Sequence, residues 1–284
     1  MSETQKMKFL NLGCGNRFHR DWENLDFVAA SSSVRAHDLR KGIPFADGTF
    51  DVVYHSHVLE HFSKHAAPSF IKECFRVLKS GGVLRVAVPD LENIARLYLE
   101  TLEKASNNVP GWHDNYNWMV LEMYDQTVRE RSCGELVKYF QQEPIPNWDF
   151  VFKRWGVQAS VLRDSLQNKQ GTSEPQTVAL PFAWSYVRKN LWEVLRNKLT
   201  KAILKPADWE ALQVARFRSQ GEIHMWMYDS FSLTQLLEQA GFANPRRFDA
   251  AQSQIPNWSN FHLDTEPDGS TYKPDSLFME GIRI

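Results

Sequence analysis

Over residues 8–90 the apolar positions fall into short runs, each closed by a turn-forming or polar residue. Phe9-Leu10-Asn11-Leu12 stops at Gly13-Cys14-Gly15, as a buried parallel strand stops where the backbone must turn. Asn24-Leu25-Asp26-Phe27 is a second candidate strand, Val34-Arg35-Ala36-His37 a third, followed by Asp38, and Asp51-Val52-Val53-Tyr54-His55 a fourth. The fifth runs from Gly82 to Val88 and is closed by Pro89. Between the fourth and fifth, Leu59, Phe62, Phe70, Ile71, Cys74, Phe75 and Leu78 fit helical spacing over Val58 to Lys79, in two pieces broken near Pro68. Lys79-Ser80-Gly81-Gly82 reads as the helix stop. Strands alternating with helices predict a mainly parallel sheet in an α/β fold.

The other end of the chain completes the pattern. Tyr228 to Ala240 is an amphipathic helix with Phe231, Leu233, Leu236 and Leu237 on one face and Gly241 as its stop. Asn244 to Ala250 and Ser276 to Ile282 are the last two strands. About 130 residues separate the fifth strand from the last helix, far more than a crossover needs. Asp90 to Lys104 fills one helix, with Leu91, Ile94, Leu97 and Tyr98 in phase. The expected organisation is a Rossmann-like core of residues 1–104 and 221–284, with residues 105–220 as a mostly helical cap over the ligand edge. That cap holds seven of the ten tryptophans, a composition suited to packing on a planar or sugar-like acceptor. Within it, Gln167 to Gln176 reads as a polar loop. Trp184 to Lys205 carries six basic residues against one acid on an amphipathic helix. A solvated basic face is the preferred reading; peripheral contact with an anionic membrane or an anionic substrate is the other.

Composition narrows the function. The chain has 284 residues and a formal net charge of −1, so no global field favours a nucleic-acid partner. Three cysteines without a C-x-x-C motif argue against a disulfide framework or zinc ribbon and for a reducing, cytoplasmic setting. Met1 to Lys8 shows no signal peptide, and no stretch approaches the roughly 20 apolar residues of a membrane span. Oligomeric state is not legible.

In a doubly wound sheet, ligands bind at the carboxyl ends of the strands. Gly13, Cys14, Gly15, Asn16, Asp26, Asp38, Leu39, His55, Ser56 and His57 therefore converge on one edge. Glycines at the first strand end, with an acid at the second, suit a ribose-bearing ligand. The dinucleotide fingerprint G-x-G-x-x-G is incomplete, because Phe18 occupies the third glycine position and Asp26 follows too soon. A nicotinamide-dependent oxidoreductase is thereby disfavoured. A non-catalytic binding protein derived from the fold is disfavoured by the retained glycines and acids.

The stretch from Lys8 to Asp90 resembles the class I S-adenosylmethionine-dependent methyltransferases, especially the type 11 group. Leu10-Asn11-Leu12-Gly13-Cys14-Gly15, Asn24-Leu25-Asp26, Asp38-Leu39, Ile43-Pro44-Phe45, Phe50-Asp51-Val52-Val53, His57-Val58-Leu59-Glu60-His61 and Arg76 to Gly82 carry the likeness in order. The resemblance implies strand order 3-2-1-4-5-7-6 and S-adenosyl-L-methionine as cofactor. It places Gly13 and Gly15 by the methionine part, Asp26 on the ribose, Asp38 and Leu39 on the adenine, and His55 to His57 beneath. Asn11 stands where the family commonly has an acid. The first two crossovers are short, which leaves their helices reduced or lost.

The chemistry expected is in-line displacement at the sulfonium methyl, toward an oxygen or nitrogen of a small metabolite or glycan-type acceptor. Such an acceptor needs a base, for which His224 and His57 are the candidates; His224 reads equally as a histidine fixing the cap-to-sheet junction. Asp90 is a substrate residue or a helix cap, and Tyr228 a second acceptor-side candidate. His57, His61 and His65 recur every four residues around Glu60, but without H-E-x-x-H; no metal is assigned to them. Cys14 lacks a base partner and is not read as a nucleophile.

Overall fold

A computed structural model of the chain describes residues 6–167 and 191–284. Seven strands form one sheet in the order β3-β2-β1-β4-β5-β7-β6. They are β1 (Phe9–Leu12), β2 (Glu23–Asp26), β3 (Arg35–Ala36), β4 (Phe50–Ser56), β5 (Leu78–Pro89), β6 (Phe242–Phe248) and β7 (Ser276–Arg283). The first five are parallel; in register, Leu12 of β1 lies beside both Leu25 of β2 and His55 of β4. β7 runs antiparallel between β5 and β6, which gives the order and the antiparallel finish implied by the resemblance.

One segment departs from its expected form. In place of a two-piece helix over Val58 to Lys79, a single 3-10 turn at Leu59–His61 precedes helix α1 (Ala67–Val77). Pro68 starts α1 rather than breaking it, since a first-turn proline lacks only an N–H that would have no helical partner. Gly81 and Gly82 lie inside β5, which follows α1 directly at Leu78.

One sheet face is covered in the usual way. Leu10, Leu12, Val53, Leu84, Val86 and Val88 pack beneath α1 and α9 (Ser230–Gln239), with Phe70, Ile71, Cys74, Leu233 and Leu237 in the same buried cluster. Pleating sends alternate residues of the same strands, Phe9, Val52, Tyr54, Val83 and Arg85, to the other face. The crossovers from β1 to β2 and from β2 to β3 contain no helix, and that from β3 to β4 holds only a 3-10 turn at Leu39–Lys41. The chain between β6 and β7 replaces the missing layer: Ile255, Trp258 and Leu263 pack with Trp22, Val52 and Tyr54 in a second buried cluster.

An ionic network lies inside that layer. Arg85 is fully buried and donates from Nε to Asp264 (2.7 Å) and from Nη1 to Glu280 (2.7 Å). Its Nη groups also reach the carbonyls of Asp249, Ala250 and Gln252, and the Tyr54 hydroxyl donates to Asp264 at 2.6 Å. Every charged atom therefore has a partner, the condition under which buried charges are tolerated.

The cap is helical. Over the expected span it comprises α3 (Trp112–Val128), α4 (Leu136–Phe140), α5 (Trp148–Trp155), α6 (Val157–Gln167), α7 (Leu191–Ile203) and α8 (Pro206–Arg218), and α2 (Leu91–Ser106), expected with the sheet, packs into it through Ile94. Ile94, Trp118, Met119, Leu136, Phe140, Val151 and Leu162 give it a core separate from the sheet's clusters. Trp118 is fully buried against Tyr139, Phe140 and Trp155, so its indole serves cap folding rather than acceptor packing. The polar loop expected over 167–176 lies almost wholly, and the first part of the basic helix expected from Trp184 wholly, outside the described residues. Over 191–203 the helix is present, with Leu199 and Ile203 exposed among the described residues. No helix among the described residues is long and apolar enough to cross a membrane.

Candidate functional site

The carboxyl ends of β1, β2 and β4 meet at a cavity of about 370 Å³. Gly13 and Gly15 turn the chain there with φ of 63° and 52°. A Cβ on Gly13 would collide with Cγ2 of Val58, so this position needs glycine on steric as well as conformational grounds. The Gly13 and Cys14 amides donate to the Leu25 carbonyl, and the Gly15 amide donates to Oδ2 of Asp26 at 2.8 Å. The loop is thus tied to the end of β2, and Asp26 faces the space beside it.

Gly13, Asp26, Asp38, Leu39 and His57 line this cavity together, joined by Phe27, Arg40, Val58, His61 and Met225. Asp38 caps the Leu39–Lys41 turn and receives a forked pair of bonds from Arg40, at 2.9 Å to each oxygen. That guanidinium holds the Asp38 carboxyl below the ordinary range. Cys14, Gly15, Asn16, His55 and Ser56 do not line the cavity. His55 points into the core against Phe70, both ring nitrogens lack a partner, and burial pulls it down to about 3. Burial pushes the Cys14 thiol up to about 12.

A second cavity, about 130 Å³, lies between sheet and cap. The cap contributes Gln126, Arg129, Leu136, Trp155 and Leu162; the chain before α9 contributes Glu222 and His224, and the chain between β6 and β7 contributes Tyr272 and Lys273. Arg129 bridges Asp125 and Glu222, and Glu222 also accepts the Cys133 amide, so the cap side of the wall is braced. His224 is anchored by its amide to the Gln126 carbonyl, while Met225 and Trp226 donate to the Glu60 carbonyl. The chain returning from the cap is therefore stitched to both α3 and the turn after β4.

His57 and His61 line both cavities and form their common wall. They do not share a helix face with His65. His57 sits at φ 54° with its amide on the Ala87 carbonyl, and His61 lies in the 3-10 turn. Behind them Glu60 is fully buried, and neither carboxylate oxygen accepts a hydrogen bond. Nδ1 of His57 is 3.2 Å from Glu60 Oε1, close enough to pair but misaligned for a hydrogen bond, and Nε2 of His224 is 3.9 Å away. Burial raises the Glu60 carboxyl and depresses His57 and His224, leaving both imidazoles neutral near pH 7. Burial also draws Lys273 down to about 8.

Asp90 and Tyr228 lie behind this wall and line neither cavity. Asp90 caps α2 through the Asn93 amide and pairs with Arg247 at 2.7 Å, so both its oxygens are engaged. Tyr228 is packed in the core beneath α1 and α9. Conversely, Arg129, Glu222, Tyr272, Lys273 and the Arg218–Gly221 wall were not legible as site residues. They come from the cap, the chain between α8 and α9 and the chain before β7, where no motif or period marks them.

Residues 15–86 match the family described as a methyltransferase domain. A protein of Mycolicibacterium smegmatis, named a probable S-adenosylmethionine-dependent methyltransferase, is 36% identical over 98 residues. That alignment covers 28% of this chain, which spans 37% of the relative's length. Two solved structures align over 98% of the chain at 11% identity. One is a Haloferax volcanii methyltransferase in complex with its activator (TM-score 0.38, 82% of that chain), the other a SAM-dependent methyltransferase from Thermotoga maritima (TM-score 0.37, 83% of that chain). The sheet order is that of the class I methyltransferase fold, and the matched segment, residues 15–86, lies within that sheet. The donor set around the larger cavity suits S-adenosyl-L-methionine: a carboxylate for a ribose diol and an apolar side chain for a base.

Proposed function

We propose that the protein transfers a methyl group from S-adenosylmethionine in the larger cavity to an oxygen or nitrogen of an acceptor in the smaller one. The shared wall of His57 and His61 carries this reading, because two cavities meeting at one thin partition suit in-line transfer between two bound molecules.

The cofactor supplies an activated methyl on a sulfonium. Asp26 accepts from the ribose hydroxyls; Gly15 and Val28 occupy one position on each of its oxygens and leave acceptor capacity on both. Leu39 packs on the adenine. Arg40 keeps Asp38 ionised at the rim. On the acceptor side, proton removal falls to a neutral imidazole, His224 or His57. A cavity of about 130 Å³ matches a single-ring group, since about 150 Å³ holds benzene. We therefore favour a small metabolite, or one sugar ring of a larger glycan, as acceptor. Trp155 and Leu162 offer it apolar contact; Arg129, Glu222 and Tyr272 offer polar anchors.

Calorimetry with S-adenosylmethionine and S-adenosylhomocysteine, with NAD as control, tests the cofactor half. Micromolar binding of the adenosyl ligands alone is expected, and preference for NAD overturns the reading. Transfer of a labelled methyl to a panel of single-ring hydroxylated and aminated compounds then identifies the acceptor class.

A further inference from the structure

We propose that Glu60, His61 and His224 form a binding site for a divalent transition cation, with its open coordination positions toward the smaller cavity. One donor atom from each residue lies within 4.8 Å of the others. Two imidazoles and one carboxylate are the donor set of open, catalytic zinc and related first-row metal sites. Bond lengths of about 2.0–2.1 Å set tetrahedral ligand atoms about 3.3 Å apart, so modest side-chain closure completes the triangle.

Two independent observations favour a ligand here over a mere cluster. Glu60 is 0% exposed and neither oxygen accepts a hydrogen bond; His57 Nδ1 at 3.2 Å and His224 Nε2 at 3.9 Å stand beside Oε1 without bonding it, a setting in which a cation would give the buried carboxylate its missing partner. His61 is already oriented as a ligand. Its Nδ1 lies 3.0 Å from the Ile223 carbonyl, an acceptor only, so Nδ1 is the donor of that bond and Nε2 the nitrogen a cation would take. A backbone carbonyl fixing the tautomer in this way is the usual support of a metal-bound histidine.

The site also stands where a Lewis acid would serve. His61 borders both cavities and His224 borders the smaller one, so a cation between them faces an entering acceptor heteroatom. This deepens the transferase reading and rests on it for its purpose, though not for its ligands. It makes His224 a ligand and leaves proton acceptance to His57.

The test is equilibrium dialysis of chelator-stripped full-length protein against Zn²⁺ and Co²⁺, with the visible ligand-field bands of Co²⁺ as readout. Calorimetry with S-adenosylhomocysteine runs in parallel. One tight equivalent of Co²⁺, displaced by Zn²⁺, is expected. Glu60→Gln and His224→Ala, each shown folded by circular dichroism and by retained S-adenosylhomocysteine binding, should weaken it at least about tenfold. No stoichiometric binding by folded, S-adenosylhomocysteine-binding protein overturns the site and leaves the transferase reading intact. Equal binding by wild type and both variants also overturns it. Tight Co²⁺ binding without S-adenosylhomocysteine binding supports the site and sinks the transferase reading instead.

Discussion

Nε of Arg85 lies 2.7 Å from Oδ2 of Asp264, across 179 residues of sequence and with both side chains buried. The pair clamps the β6–β7 chain onto the sheet face that has lost its crossover helices. Arg85→Met removes the guanidinium that bridges Asp264 and Glu280 and leaves both buried carboxylates without it. Removing one partner of such a pair costs about 3–5 kcal/mol. Urea unfolding should show that loss, and an unchanged midpoint would remove the clamp from the account.

Asp26→Ala should weaken S-adenosylhomocysteine binding by about 1.5–3 kcal/mol, the range for hydrogen bonds to a charged group. Because Asp26 also accepts the Gly15 amide, Asp26→Asn separates the effects: it keeps an oxygen for the loop and loses the charge. Calorimetry on both variants decides, and wild-type affinity in the alanine variant rules out the ribose role.

His224→Ala should lower turnover with cofactor affinity intact, because His224 borders the smaller cavity and not the larger. A parallel loss of both would mean that the wall itself has collapsed. Full activity would exclude His224 both as base and as essential ligand.

Cys14 sits in the cofactor loop, but its thiol is pushed up to about 12, first by burial and then by the Asp26 charge. At pH 8 the thiolate is therefore a minute fraction in the folded protein, and reactivity follows the thiolate. Mass spectrometry after brief iodoacetamide treatment should find Cys14 unmodified when folded and modified in urea. Rapid labelling of the folded protein would contradict the environment described.

Much of the sheet was legible because its signals are local. β1 ends at Gly13 and Gly15, β2 at Asp26, and β5 at Pro89, where the chain must turn or lose a donor. The larger cavity was legible for the same reason, since Gly13, Asp26, Asp38, Leu39 and His57 sit at strand ends. His55 and Ser56 share that address but do not line the cavity; strand-end position does not say which face a side chain takes. The smaller cavity was hidden because it is assembled from distant pieces. Arg129, Glu222 and Lys273 meet only through packing of the cap, and hydrophobic periodicity is silent about such contacts. The tryptophans divide for a related reason: Trp118 is a core residue of the cap while Trp155 lines the smaller cavity, and composition alone does not separate a core from a pocket.

The replacement of crossover helices by the β6–β7 chain has a consequence for biosynthesis. Phe9, Val52 and Tyr54 leave the ribosome long before Ile255, Trp258 and Leu263, which cover them. About 160 residues separate the end of β5 from that cover, so at 5–20 residues per second the sheet waits roughly 10–30 s with an apolar face open. Ribosome-associated chaperones are therefore expected to engage the nascent chain at β1 and β4 and to release it only once the stretch around Trp258 has emerged.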